Sequence, residues 1–232
     1  MRSASMIETY ANRTAAAEAA AAAIERNLAD GLKQRARATF VGTGGSSPAP
    51  VYRRLGAARL DWARVVVTLS DERLVPPSSE HSNQRLVREH LMVGEPAKSH
   101  LVPLWSDAPD PDAAARAAEP ALTGMAPFDA VLLGMGEDGH IASLFPGSPA
   151  LAEGLDLGSG RRALGVPEPH GAPPLPRITL TLAALTDARG LIVLISGEAK
   201  KRVVERALAG EELPVGALLR QERAPVRILW SP

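Results

Sequence analysis

Short, continuous apolar runs alternate along this chain with stretches that favour helix, and that alternation most restricts what it can fold into. "ATFVG" passes through the glycine turn "TGGSS" into "PAPVYRRL", a helix opening on Pro48, where a missing N–H costs nothing. "RVVVTL" leads through "SDERLVP" to "SNQRLVREHLM", and "DAVLLGMG" ends in the loop around "GEDGH". "ITLTL" follows, "GLIVLIS" runs into "EAKKRVVERAL", and "VRILW" closes the chain. Runs this uniformly apolar suit strands buried on both faces, as in parallel sheets whose helical crossovers cover both sides. The pattern predicts one α/β domain over residues 1–232. Its sheet is expected to be doubly wound and mostly parallel, of the Rossmann type, with helices on both faces. The alanine-rich stretch from Thr14 to about Arg37 is predicted helical by propensity. "VPEPHGAPPLPR", Val166 to Arg177, is expected to be a surface loop over a sheet edge.

Bulk properties narrow the function. At 232 residues the chain can bury a core without covalent staples. Its 26 basic and 26 acidic residues create no field suited to nucleic acid or a membrane surface, so a small-molecule ligand, neutral or anionic, fits better. With no cysteine, disulfides, thiol nucleophiles and thiolate metal sites are excluded. "MRSASMIETYANRT" lacks the apolar core of a signal peptide, and Glu18 and Glu25 interrupt the alanine run. No targeting or membrane segment is expected, the cytoplasm is the default compartment, and no interface signal fixes an oligomeric state.

Open α/β sheets bind ligands at the carboxyl ends of their strands, and four polar clusters fall there. In "GTGGSSP", Gly44, Gly45, Ser46 and Ser47 let backbone N–H groups and hydroxyls meet an anion ahead of a helix; an ordinary tight turn would read the same. In "SDERLVP", Asp71 and Glu72 could orient sugar hydroxyls while Arg73 grips a phosphate, or the three could form a solvated ion-pair turn. In "GMGEDGH", His140 stands two residues from Asp138, and an imidazole, ordinarily titrating near 6.5, suits general-base work at neutral pH. Gly134, Gly136 and Gly139 also fit the G-x-G-x-x-G dinucleotide fingerprint, but Pro146 and Gly147 leave no room for the helix it needs. In "SGEAKK", Lys200 sits in a first helical turn against the dipole, as a phosphate-binding lysine would, although Lys200 and Lys201 could be plain surface charges. The remaining histidines, His81, His90, His100 and His170, lack metal-ligand spacing, and no metal is expected. No G-x-S-x-G elbow supports Ser46 or Ser143 as a nucleophile.

In this order the clusters resemble the 6-phosphogluconolactonase family across nearly the whole chain. The resemblance is carried by "GTGGSSP", "SDERLVPPSSEHSN", "GMGEDGHIASLFPG", "RITLTLAAL" and "SGEAKKRVVERAL". It implies the sugar-phosphate isomerase-like fold, hydrolysis of 6-phospho-D-glucono-1,5-lactone, no metal and no nucleotide cofactor. It also implies that His140 activates water, that Arg73 and Lys200 bind phosphate with the Gly44–Ser47 turn, and that Asp71 and Asp138 lie near the sugar, with Arg177 a further contact. Under it the dinucleotide fingerprint is coincidental. Ser47 and Ile141 stand where the family usually has threonine, and "DGHIA" is the spelling of glucosamine-6-phosphate deaminases. Those deaminases read D-E-Y and N-E-P where this chain has Arg73 and "LFPG", so deamination is the rival activity. A sugar-phosphate sensor is a second rival, without the helix-turn-helix segment such regulators carry.

Overall fold

The structure, a computed structural model, describes residues 7–167 and 171–232. His170, the start of the N-terminal stretch and the middle of the proline-rich loop lie outside the described residues. In chain order the first half holds β1 (Ile7–Thr9), α1 (Arg13–Gln34), β2 (Ala38–Gly42), α2 (Pro48–Gly56), β3 (Val65–Leu69), β4 (Asp71–Arg73), α3 (Asn83–His90), β5 (His100–Leu101) and α4 (Pro111–Thr123). The second holds β6 (Ala130–Leu133), α5 (Leu151–Leu155), β7 (Ala163–Val166), β8 (Arg177–Leu180), α6 (Leu182–Thr186), β9 (Leu191–Ser196), α7 (Glu198–Leu208), α8 (Pro214–Arg220) and β10 (Val226–Ser231).

Seven strands form a parallel sheet in the order β1-β10-β9-β6-β2-β3-β5. Every residue of β2 and β6 is buried. Successive side chains point to opposite faces, so both faces of the sheet are covered, as the uniform apolar runs required. The chain moves outward from β2 through β3 to β5, then returns to β6 on the other side of β2. Loops leaving β2 and β6 therefore diverge, and a crevice opens at their carboxyl ends.

Helix α1 packs closely because its inner face is alanine, with Ala16, Ala17, Ala20 and Ala21 buried beside Ile24 and Leu28. The Asn12 side chain caps its start by accepting from Ala15 N at 2.9 Å. At its other end Gly31 lies against the fully buried Asp129 carboxylate, which Arg35 and the Thr39 N–H neutralise and satisfy.

One part of the architecture departs from the sequence reading. "ITLTL" does not join the parallel sheet: as β8 it is the centre of a three-stranded antiparallel sheet, β4-β8-β7. Its partner β4 is the polar "DER", expected only as a turn, paired in the register Asp71↔Thr179, Glu72↔Ile178 and Arg73↔Arg177. Ala163, Ile178 and Leu180 of this small sheet join the same buried cluster as Phe40, Leu133 and Val193 of the large one. Helix α4, with Pro120 inside it, and helix α8 carry no strong sequence signature.

Candidate active site

The loop after β2 is held from below. Tyr52, fully buried on α2, accepts from Thr43 N at 2.7 Å and donates to Thr43 O at 2.6 Å. Gly42 is required beneath it, since a Cβ there would come within 2.8 Å of the Tyr52 hydroxyl. Beyond Thr43 the backbone N–H groups of Gly44, Gly45, Ser46 and Ser47 donate to nothing among the described residues. Gly45 has φ +91°, a conformation that costs glycine little, and Pro48 then starts α2. Four open N–H groups at a helix N-terminus are an arrangement able to receive an anion.

Strand alternation sorts "DER" into two jobs. Asp71 and Arg73 face the crevice, whereas Glu72 turns inward to the start of α3. There it accepts from Arg73 N at 2.8 Å, Asn83 N at 2.7 Å, Gln84 N at 2.7 Å and Ser82 Oγ at 3.0 Å. Burial pushes its carboxyl above the usual range against the pull of those hydrogen bonds. The sequence reading that paired Glu72 with Asp71 at a sugar is thereby corrected: Glu72 is a fully buried cap. Asp71 accepts from Ser70 Oγ at 2.9 Å and from the buried Ser143 Oγ at 2.7 Å.

Arg177 enters from β8, directly opposite Arg73. It is 4% exposed, stands 3.9 Å from Asp71 and lies over the Phe145 ring at 5.3 Å. Burial lowers its guanidinium pKa from the ordinary value, Asp71 opposes this, and the like charge of Arg73 adds to it.

The loop after β6 carries His140. Its Nδ1 lies 2.6 Å from Asp138 Oδ1, and its ring stacks at 4.4 Å, tilted, on Phe145. Burial raises the Asp138 carboxyl, but the hydrogen bonds and charge of His140 prevail and hold it below the usual range. A Cβ on Gly136 would overlap both the His140 ring and the Asp138 carboxylate, so the pair exists only because that residue is glycine. Gly139 adopts φ +82° and its carbonyl accepts from Val215 N at 2.9 Å, tying the loop to α8. No helix follows Gly139; the chain turns through an Ile141–Leu144 bridge, unlike a dinucleotide loop.

Strand β9 delivers the last group. Gly197, at φ +86°, turns the chain into α7, whose third residue is Lys200. Lys200 lines the crevice, while Lys201 rests over the Trp230 ring at 4.3 Å. The two adjacent lysines are thus separated by the helix into a cavity group and a packing group.

These elements enclose a cavity of about 260 Å³. Gly44, Gly45, Ser46, Ser47, Asp71, Arg73, His140, Arg177 and Lys200 all line it; the buried Glu72 and Asp138, which pairs with His140 Nδ1, do not. Sequence reasoning missed Asn83 and Phe145, which also line it, and Ser143, which supports Asp71 from behind. Among the described residues no three His, Asp or Glu side chains converge as metal ligands, and no helix is long and apolar enough to cross a membrane. A second cavity, about 400 Å³, holds Arg161 and Arg162, but Asp112 and Asp187 already pair with them.

Residues 11–230 match the family profile described as glucosamine-6-phosphate isomerases/6-phosphogluconolactonase. The chain is 46% identical over 225 residues to a 6-phosphogluconolactonase of Caulobacter vibrioides, covering 97% of both chains. It is 41% identical over 227 residues to that of Rhizobium meliloti, covering 96% of this chain and 97% of the relative. Among solved structures, a 6-phosphogluconolactonase from Shewanella baltica superposes with a TM-score of 0.92 at 31% identity, covering 99% of this chain and 98% of the other.

Proposed function

The chain belongs to the glucosamine-6-phosphate isomerase/6-phosphogluconolactonase family, and from that premise we propose that its cavity hydrolyses 6-phospho-D-glucono-1,5-lactone to 6-phospho-D-gluconate. The observation that carries this reading is the pairing of an oriented base with a cationic anion cradle in one cavity. Asp138 takes up Nδ1 of His140 and leaves Nε2 to accept a proton from water. The resulting hydroxide attacks the lactone carbonyl at C1. Collapse of the tetrahedral intermediate breaks the bond to the ring oxygen, which recovers the proton from the imidazolium, and the carboxylic acid so formed releases its proton to solvent to give the carboxylate. At the other end Arg73, Lys200 and the open N–H groups of Gly44–Ser47 receive the phosphate. Binding energy far from C1 then holds the carbonyl near the attacking water. Asp71 and Arg177 also line the cavity and in this reading serve the sugar. In this reading residues 1–232 act as one α/β unit in the cytoplasm.

Deamination of glucosamine 6-phosphate has one feature in its favour, Ile141, but that residue is fully buried and does not line the cavity. Where the deaminase pattern places its glutamate this chain has Phe145, whose ring stacks on His140. The deciding experiment generates the lactone in situ, follows its loss against the spontaneous background, and measures ammonia release from glucosamine 6-phosphate in parallel. Rapid lactone loss without ammonia is expected; ammonia release without lactone hydrolysis would overturn the proposal.

Two further outcomes follow from the geometry. Gly136→Ala should lower kcat by about 10- to 100-fold, because it displaces the His140–Asp138 pair by roughly the ångström that costs such factors. Its melting temperature should stay close to the parent's, since the loop tip packs little core, and a thermal melt beside the kinetics separates the two effects. Arg73→Ala and Lys200→Ala should each raise KM by about 10-fold or more with smaller changes in kcat, as steady-state kinetics can establish.

A further inference from the structure

Arg73 is useful to a phosphate only if its guanidinium is aimed, and the structure supplies a specific aiming device. Its Nη1 donates to His81 O at 2.8 Å and to Asn83 Oδ1 at 2.8 Å, which occupies both of that nitrogen's protons. Nη2 donates to nothing among the described residues, and Arg73 lines the cavity. Asn83 is itself held through its side-chain Oδ1 and Nδ2 and through its backbone N–H. Its Nδ2 donates to Asp71 O at 2.9 Å and its backbone N donates to Glu72 Oε1 at 2.7 Å. Its side chain occupies the space that a Cβ on Gly44 would need. At 2% exposure it has no freedom to respond to solvent.

The geometry points to Asn83 as the positioning residue for Arg73 and, through contact with Gly44, for the anion cradle as well. Asn83 thereby sets affinity for the phosphorylated end of the substrate without taking part at C1. This rests on the reading of Arg73 as a phosphate ligand. Three neighbouring parts of the site, the arginine, the β4 backbone and the glycine loop, are registered against one amide. The amide suits this task because it accepts from the guanidinium and donates to the Asp71 carbonyl at once, without placing a negative charge beside the phosphate.

The test measures lactone hydrolysis and competitive inhibition by inorganic phosphate for Asn83→Ala, Arg73→Ala and the double variant, with circular dichroism to verify folding. Asn83→Ala should raise KM and the inhibition constant for phosphate together, by about tenfold, while kcat changes by less than about threefold. In the Arg73→Ala background the same substitution should add less than about twofold, because the group it aims is gone. Asn83→Ser, which keeps a small polar residue at the start of α3 but cannot bridge the same distance, should behave alike and serves if the alanine variant does not fold. Wild-type KM in a folded Asn83 variant, a loss of kcat at unchanged KM, or full additivity with Arg73→Ala would overturn the positioning role. Wild-type KM in Arg73→Ala would overturn the reading of the arginine and, with it, the role of Asn83.

Discussion

Replacing His140 with alanine is expected to reduce kcat for lactone hydrolysis by about 10²- to 10⁴-fold, the range that a positioned general base contributes. KM should move by no more than a few-fold, because the proposed phosphate end of the cavity is built from β4, α7 and the loop after β2, whereas His140 is carried by the loop after β6. His140 is a quarter exposed at a loop tip, with side-chain accessibility of 27%, so its loss removes little core packing. The variant should melt near the parent temperature and bind 6-phosphogluconate with parent affinity by calorimetry. Kinetics above the spontaneous hydrolysis rate, run beside that titration, check both statements. Full turnover in the variant would remove His140 from the reaction, and weakened product binding would move it to the substrate-holding machinery.

The largest effect on stability is expected from a residue that never meets substrate. Glu72→Ala should destabilise the protein by about 3–5 kcal/mol, because three backbone N–H groups and the Ser82 hydroxyl lose their acceptor in a site closed to water. That is a large part of the roughly 5–15 kcal/mol that a domain ordinarily has. Glu72→Gln should cost less, since one oxygen still accepts while the amide nitrogen faces donors. Urea unfolding at neutral pH measures the difference as a shift in midpoint at constant slope. A loss below about 1 kcal/mol would mean that the start of α3 finds other acceptors.

The parallel sheet was legible because its inner strands announce themselves: "ATFVG", "VVVTL", "AVLL" and "LIVLIS" are buried along nearly their whole length and are therefore mostly apolar. The small sheet was not, for the opposite reason. A three-residue strand such as Asp71–Arg73 is too short to establish a period, and its polarity reflects the cavity it borders. Helix α4 was hidden by Pro120, which argues against a helix interior. The site was legible to the extent that its residues end parallel strands, where glycines and charges interrupt apolar runs. Asn83 closes the stretch "SDERLVPPSSEHSN", yet nothing in a sequence distinguishes a residue that starts a helix from one that also holds an arginine. The sequence sets Asp138 two residues from His140, but only the geometry shows its carboxylate on Nδ1 of the ring and outside the cavity lining.

The register of β4 against β8 sets Arg73 directly opposite Arg177. Like charges so placed repel, but Asp71, 3.9 Å from Arg177, outweighs that repulsion at Arg177, and what remains uncompensated is the burial of its guanidinium. Under the proposed function, a phosphate dianion bound beside these two guanidiniums would compensate that burial. Occupancy and folding are then linked: a ligand present at a hundred times its dissociation constant adds about 2.7 kcal/mol to the folded state. Under the same proposal, durability would follow the supply of substrate and product, with a ligand-saturated molecule expected to melt above an idle one.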